Sequence, residues 1–232
     1  MWIGGGSIGP HRAMSVPPHH SRVPDGIKDL IVFIDRDDIP VLTHAAVAHA
    51  QFETIHPFPD GNGRNGRALL HAMLRNTRLT RNVTVPISAG LLADTDAYFA
   101  ALDAYRAGDP AAIVPKLADA AFLAIANSRQ LVAELHEIRG GWTDQVTARR
   151  DAAVWRIADL VVRHPVVNAA MLADGLGIAA PNVYRSVRPL DDAGIVVGSA
   201  NRQRDRVWRA PQVLAALDAF AVRAGRRTLP TS

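Results

Sequence analysis

Residues 48–67 read Ala48-His-Ala-Gln-Phe-Glu-Thr-Ile-His-Pro-Phe-Pro-Asp-Gly-Asn-Gly-Arg-Asn-Gly-Arg67. The first eight residues finish an Ala-rich helical run that Pro40 opens. It ends near Ile55, because Pro57 disfavours the α conformation at His56. Gly61 and Gly63 free the backbone for a tight loop. A new helix begins at about Asn62 and runs to Arg78, with Leu69, Leu70, Met73 and Leu74 on one face. The unpaired N–H groups and positive dipole end at its start point into the loop and make an anion site. Arg64 and Arg67 are three apart and project from the same side of the first turn. Two guanidinium groups there suit a polyphosphate. Asp60 supplies the hard carboxylate oxygen that Mg²⁺ on a nucleotide requires. His56 faces the same loop and titrates near neutral pH, so it can accept a proton from a hydroxyl.

Each piece alone has an ordinary structural explanation. A single His is more often structural than catalytic, Asp-Gly-Asn-Gly is a common turn, and two Arg on a helix are usually solvated. A calcium loop is excluded because position 58 is Phe and no Glu closes the loop. There is no Walker A sequence. The combination within twelve residues is what chance rarely supplies. It resembles the signature of the Fic (fido) family, His-Pro-Phe-x-Asp/Glu-Gly-Asn-Gly/Lys-Arg-x-x-Arg, at every fixed position from His56 to Arg67. Trp2-Ile-Gly-Gly and Val16-Pro-Pro are similar to the family's flap region, and Ala48–Ile55 to the helix that leads into its motif.

The resemblance implies a protein adenylyltransferase that moves AMP from ATP-Mg to a Ser, Thr or Tyr hydroxyl of a target protein. His56 would be the general base and Asp60 the Mg²⁺ ligand. Asn62 and the backbone amides of Gly61, Gly63 and Arg64 would hold phosphates. Arg64 and Arg67 would bind the distal phosphates and stabilise charge on the leaving pyrophosphate. Phe58 would anchor the loop in the core, Tyr98 would lie near the adenine, and the hairpin around Ser7–Val16 would align the target by strand addition. Gly63 in place of Lys favours nucleotide transfer over the phosphate-transferring branch. Many family members carry an inhibitory Ser/Thr-x-x-x-Glu-Gly/Asn helix. The only Glu residues here are 53, 134 and 137, followed by Thr, Leu and Ile, and none fits. The chain begins immediately before the flap, so inhibition would come from an upstream segment or from a separate partner.

The rest of the 232 residues bounds this reading. A hydrophobic content of 48% supports a real core, and no apolar run reaches the ~20 residues of a membrane span. There is no signal-peptide pattern. The absence of cysteine excludes disulfides and thiolate metal sites and fits a cytoplasmic protein. Residues 1–24 read as loop or hairpin. Helices are expected from Asp25 to Arg36, from a cap at Thr95 or Asp96 to Arg106, and from Pro110 onward with Leu117, Ala121 and Ile125 in register. The Gly140-Gly141 pair is a candidate hinge.

Beyond it the pattern changes. Val154, Ile157, Ala158 and Val161 form one apolar face. Asn168 caps a short helix that Gly177 stops, and Ala180-Pro181 opens another with Val183, Val187 and Leu190 inward. Two β-type runs follow, at 195–197 and 206–208, and then a last helix, 212–223. That order is the order of a winged helix-turn-helix. The expected fold is therefore mainly α. A Fic-type helical core with a small β-hairpin flap near 5–18 would occupy residues 1–139, and a winged-helix domain 145–232.

From Arg185 onward nine Arg face four Asp, a local balance of +5 in a chain of net charge +4. This admits a second function class, a DNA-binding regulator whose Fic core is a sensor or inactive. Arg185 and Arg188 on the third helix and Arg202, Arg204 and Arg206 in the wing would be its DNA contacts. A protein-binding or dimer surface is the third class, since Pro189 would kink or end the recognition helix. A homo-oligomer stays open, and no membrane partner is implied.

Overall fold

The computed structural model describes residues 15–80, 85–199 and 206–224. The chain divides into two compact units, Met1–Ile125 and Ala126–Ser232.

In the first unit a 3₁₀ turn, His20–Arg22, leads into α1, Val23–Ile34. Helices α2 (Val41–Ile55) and α3 (Asn62–Asn76) follow, then α4 (Ile87–Leu92), α5 (Thr95–Arg106) and the start of α6 (Ile113–Gln145). Helix α2 is the centre: His44, Ala45, Ala46, Ala48, His49, Ala50, Phe52, Glu53 and Ile55 are all buried. Nearly every face is covered, so its alanines allow α1, α3 and α5 to approach closely. Leu70, Met73 and Leu74 of α3 enter the same core, as the spacing predicted, together with Leu102, Ile113 and Leu117. Helix α4 was not foreseen. It is six residues long, and its Gly90 lies so close to α6 that a Cβ would collide with the Ala120 carbonyl.

Several helix ends differ from expectation for local reasons. Pro24 occupies the first turn of α1, so that helix starts two residues before Asp25. The cap of α5 is Asp94, which accepts from the Ala97 N–H (3.1 Å) and also pairs with Lys116 (2.7 Å). Pro110 precedes α6 by three residues, after a turn in which Gly108 takes φ 101°. Residues 5–14 of the flap hairpin expected near 5–18 lie outside the described residues.

The second unit begins inside α6. The Gly140-Gly141 pair is helical, so the expected hinge between 139 and 145 is replaced by a division at 125/126. Two glycines cost a helix roughly 2 kcal/mol against alanine, and side-chain contacts around them offset this. Trp142 is fully buried, and its indole N–H donates to Gln212 Oε1 (2.7 Å). Arg223 donates to Asn127 Oδ1 (2.6 Å) and forks onto both oxygens of Glu134 (3.1 and 3.2 Å). These bonds tie α10 (Pro211–Arg223) along the 127–145 stretch of α6.

Between them come α7 (Ala153–Arg163), β1 (Val166–Asn168), α8 (Ala169–Leu176), α9 (Ala180–Asp192), β2 (Val197–Gly198) and β3 (Val207–Arg209). Asn168 caps α8 by accepting from the Met171 N–H (2.9 Å), and Gly177 ends it at φ 64°, both as read from sequence. Pro189 does not end α9, which continues to Asp192. The sheet order is β1-β3-β2, antiparallel, with Val167 opposite Trp208. Strand β1 was missed because three residues carry no readable alternation. The core of this unit gathers Trp142, Ile157, Val161, Leu172, Leu176, Val183, Val187, Leu190 and Trp208. Among the described residues no helix is long and apolar enough to cross a membrane.

A fragment that starts at residue 126 keeps Asn127, Glu134 and Trp142 with their partners on α10, whereas one that starts at 145 loses all three. We expect the 126–232 fragment to melt well above the 145–232 fragment in circular dichroism. Equal melting temperatures would place the boundary back at the glycine pair.

Candidate active site

Helix α2 ends at His56, which has φ 49° and ψ 59°, in the left-handed region where a helix C-terminus normally places glycine. A side chain in that conformation costs about 1–2 kcal/mol. The His56 N–H still bonds the Phe52 carbonyl (2.9 Å), so the turn is closed while the ring leaves the helix axis. The ring lines a groove of about 510 Å³, with Val16, Pro17, Pro18, His19, His20 and Val23 opposite and Pro57, Phe58 and Pro59 beside it. Partial burial pushes the His56 pKa down. The Glu53 carbonyl opposes that shift without meeting hydrogen-bond geometry at Nδ1, and the Arg106 guanidinium adds to it. His56 is thereby kept neutral and able to accept a proton.

The loop after His56 is held by one buried side chain. Asn62 is 2% exposed; its amide donates to the Phe58 carbonyl (2.6 Å), and its oxygen accepts from the Phe58 N–H (2.9 Å). Both ends of the Asn62 amide are thus used on the backbone. This makes it the clamp of the loop, where a phosphate ligand was expected. Phe58 is anchored through that same backbone; the residue is 45% exposed and its ring lies tilted to that of Phe52 with centroids 6.3 Å apart, so it is not the buried anchor expected.

Gly61 precedes α3 at φ 82° and offers no side-chain cap. The first-turn amides of α3 are therefore left to an incoming acceptor. Asp60 Oδ1 accepts from the Gly61 N–H (2.7 Å), and Oδ2 pairs with Arg64 (3.1 Å). Both side chains of that pair are strongly exposed, so it is a weak, exchangeable contact. Arg67 folds back over Gly63, where a Cβ would lie 3.1 Å from its Nη1.

Beneath the loop lies a polar cluster that the motif does not announce. His49 is 1% exposed; its Nε2 meets the Tyr98 hydroxyl at 2.9 Å, and its Nδ1 has no partner. Burial drives the His49 pKa down to about 4, against a pull upward from the Gly66 backbone and with Arg67 adding to the depression. Burial likewise raises the Tyr98 pKa, with Glu53 adding to it. The Tyr98 hydroxyl is committed to this buried partner and its ring packs on Phe99, so an adenine contact finds no support in its placement. Glu53 is 8% exposed, and burial raises its pKa against the pull of Arg67 and Arg106. The structure thus places His56, Asp60 and Gly61 in the connection between α2 and α3 and Gly63, Arg64 and Arg67 on the first turns of α3, uses Asn62 to hold the connection, and sets Tyr98 against His49. Glu53 and Arg106 were missed as site residues. Their signal would have been a charged residue at a helical position that faces inward.

Comparison with known proteins adds to this geometry. The sequence model of the Fic/DOC family matches residues 5–74. Over 59 residues the chain is 44% identical to the probable protein adenylyltransferase aq_aa38 of Aquifex aeolicus (strain VF5), a match covering 25% of this chain and 18% of that protein. Among solved structures, a Fic family protein from Desulfovibrio desulfuricans G20 matches with a TM-score of 0.46 and 21% identity, covering 84% of this chain and 56% of that one. The chain therefore spans less than a fifth of the curated relative and just over half of the solved one. Residues 5–74, which include α2, the loop and most of α3, carry the Fic/DOC pattern.

Two outcomes follow from these positions. His49 stays neutral in the fold to about pH 4, whereas a free histidine protonates near 6.5. Its contribution is complete above pH 6.5 and is lost as pH falls toward 4, by on the order of 3 kcal/mol. Urea denaturation should show this loss in the wild type and less of it in His49→Gln, which keeps an amide for Tyr98; equal pH profiles would exclude His49 as the source. At position 56 both His56→Gly and His56→Ala lose the ring, but only glycine relieves the positive φ. The Gly variant should be more stable than the Ala variant by about 1 kcal/mol, measured by thermal melting.

Proposed function

We propose that this chain transfers AMP from ATP to a Ser, Thr or Tyr hydroxyl of a target protein. One observation carries the reading: a neutral His56, turned out of α2 into an open groove, stands next to an uncapped helix start flanked by Arg64 and Arg67. A base for a hydroxyl and a seat for a polyphosphate are thus on one loop. The Fic/DOC match over residues 5–74 and the name of the Aquifex relative support the same reaction.

In this reaction the target oxygen forms a bond to the α-phosphorus, and the bond from that phosphorus to the β-bridging oxygen breaks. His56 takes the hydroxyl proton and pyrophosphate leaves. The amides of Gly63 and Arg64 and the Arg64 and Arg67 guanidinium groups would meet the charge that builds on the leaving group. Asn62 serves by fixing the loop at Phe58.

Asp60 fits Mg²⁺ as a single carboxylate ligand. It is exposed beside the helix start, and its present partners are an adjacent amide and one surface Arg. Among the described residues no cluster of three acidic or His side chains could hold a metal alone, which suits an ion that arrives with its phosphates. The ion would supply charge neutralisation for the triphosphate.

For the second unit we propose a winged-helix fold. The helices α7, α8 and α9, followed by the β2–β3 ribbon with β1 alongside, support it. The DNA reading has less support than its charge suggested. Arg206 pairs with Asp191 (3.0 Å) and lies over the Trp208 ring, and Arg188 sits 3.5 Å from Asp192. Arg202 and Arg204 lie outside the described residues. A protein partner, including the transferase's own target or a separate inhibitor, suits this unit better than a DNA duplex.

Incubation with labelled ATP, Mg²⁺ and cell lysate should label proteins. His56→Ala should lose roughly 10²–10⁴-fold in labelling while retaining ATP binding, and Asp60→Ala should weaken the Mg²⁺ dependence of that binding. A His56→Ala protein that labels as well as the wild type would remove His56 from the mechanism, and full labelling in EDTA would remove Asp60 and the metal.

A further inference from the structure

We propose that Glu53 is an internal counter-charge of the anion site, which limits how tightly a polyphosphate is held beside Arg67. This deepens the reading of the site given above and rests on it for the place where phosphate sits. Glu53 stands on the last turn of α2, one turn before His56, and its carboxyl group points at α3. A Cβ at Gly66 would lie 2.5 Å from Oε1, so the glycine is what makes room for the carboxyl group. A Cβ at Gly63 would lie 3.1 Å from Arg67 Nη1 and 4.0 Å from Glu53 Oε1, which puts the two charged groups at most about 7 Å apart. Yet Glu53 forms no ion pair among the described residues, and its buried Oε1 has no hydrogen-bond partner. A carboxyl group buried without a partner is costly. The cost is hard to account for by packing, since Gln has the same shape without the charge.

The groups around Glu53 define what it can do. From α2 come His49 and the His56 ring, from α3 Arg67, and from α5 Arg106 and the Tyr98 hydroxyl. Both cations act on the carboxyl group without touching it. An anion that enters beside Arg67 adds negative charge on the far side of Gly63 and occupies one of those cations. An ionised Glu53 then repels the ligand, and a protonated Glu53 does not. By linkage the bound anion favours the protonated form, so binding strengthens as pH falls and weakens as Glu53 ionises. A unit charge under 10 Å away in a poorly solvated site is worth roughly tenfold in affinity. Pyrophosphate, the product left beside Arg64 and Arg67 after AMP transfer, is the species whose release this charge would speed.

Inorganic pyrophosphate is the probe, titrated calorimetrically into the full chain. Glu53→Gln should bind it about tenfold more tightly than the wild type at pH 8, and the difference should shrink as pH is lowered. Glu53→Ala should show the same trend, so a folding defect in one variant does not decide the matter; melting by circular dichroism checks both. The wild type gives a readout without any substitution. The chain holds three Glu residues, at 53, 134 and 137, so carboxyl-¹³C-Glu-labelled protein should show one of three signals titrating at higher pH once pyrophosphate is added. Equal or weaker binding by both variants at pH 8, or three signals indifferent to pyrophosphate, would overturn the proposal. A wild type that binds no pyrophosphate overturns it together with the anion site. Absence of AMP transfer with pyrophosphate still bound counts against the reaction alone.

Discussion

Gly66 of α3 leaves the room in which the Glu53 carboxyl group and the His49 ring of α2 lie, and the candidate site is built on that contact. Glu53 and His49 fill the space that a larger residue would take. That packing brings the start of α3 beside the end of α2, so the chain between them has only the six residues 56–61 in which to turn. Such a short connection imposes its own geometry. His56 must leave the helix in the left-handed region, Gly61 must do the same before α3 begins, and the loop needs an internal brace. Asn62 is that brace, because a buried amide facing backbone N–H and C=O groups satisfies both at once. The reactive ring and the helix start are therefore placed by packing, and the loop follows.

The same arrangement explains what could be read from the residues and what could not. The spacing of Gly61, Gly63, Arg64 and Arg67 is a local property, and local properties survive folding; Gly61 precedes α3 and the other three lie on its first turns. The apolar faces of α3, α7 and α9 follow from 3.6-residue periodicity and are buried as expected. Roles that depend on a distant partner were illegible. Asn62 is the local exception: its partner is the Phe58 backbone four residues away, a loop bond that the motif spacing does not announce. Whether Tyr98 meets a nucleotide or His49 is decided by the position of α5. Glu53 was weighed only against the inhibitory motif, because nothing nearby in sequence shows that its face of α2 is covered. The Gly140-Gly141 pair read as a hinge for a related reason. Local propensity disfavours a helix there, and Trp142 with its partner Gln212, seventy residues on, overrides it.

Part of the charge in the second unit is used inside the fold. Nine Arg against four Asp look like a surface for an acidic polymer. In the fold, Arg223 is spent on Glu134 and Asn127, and Arg206 on Asp191 and Trp208. Arg188 stands next to Asp192 one turn along its helix. Arginine suits such work because its planar fork can bind two acceptors and stack on a ring at once. A chain that carries 26 basic residues of which only two are Lys uses Arg as its structural cation.

The active loop has the opposite character. Charges on and beside it are left incomplete among the described residues: Arg67 and Glu53 form no ion pair there, and His56 has no partner at Nδ1. Each would stabilise the fold if it were paired, and His56 would cost less as glycine. Groups that pair in the resting state must break those pairs before they can act on a ligand, and in a poorly solvated site that breakage is expensive. Leaving them unpaired shifts the cost from the reaction to the fold. The surrounding packing is what allows the fold to bear it: α2 buried on nearly every side, α3 locked at Gly66, and the loop fastened by Asn62. On the proposed reading Asp60 and Arg64 would be the point of entry: their pair is exposed and weak, so a phosphate and its cation would exchange it at little cost before reaching the unpaired groups behind.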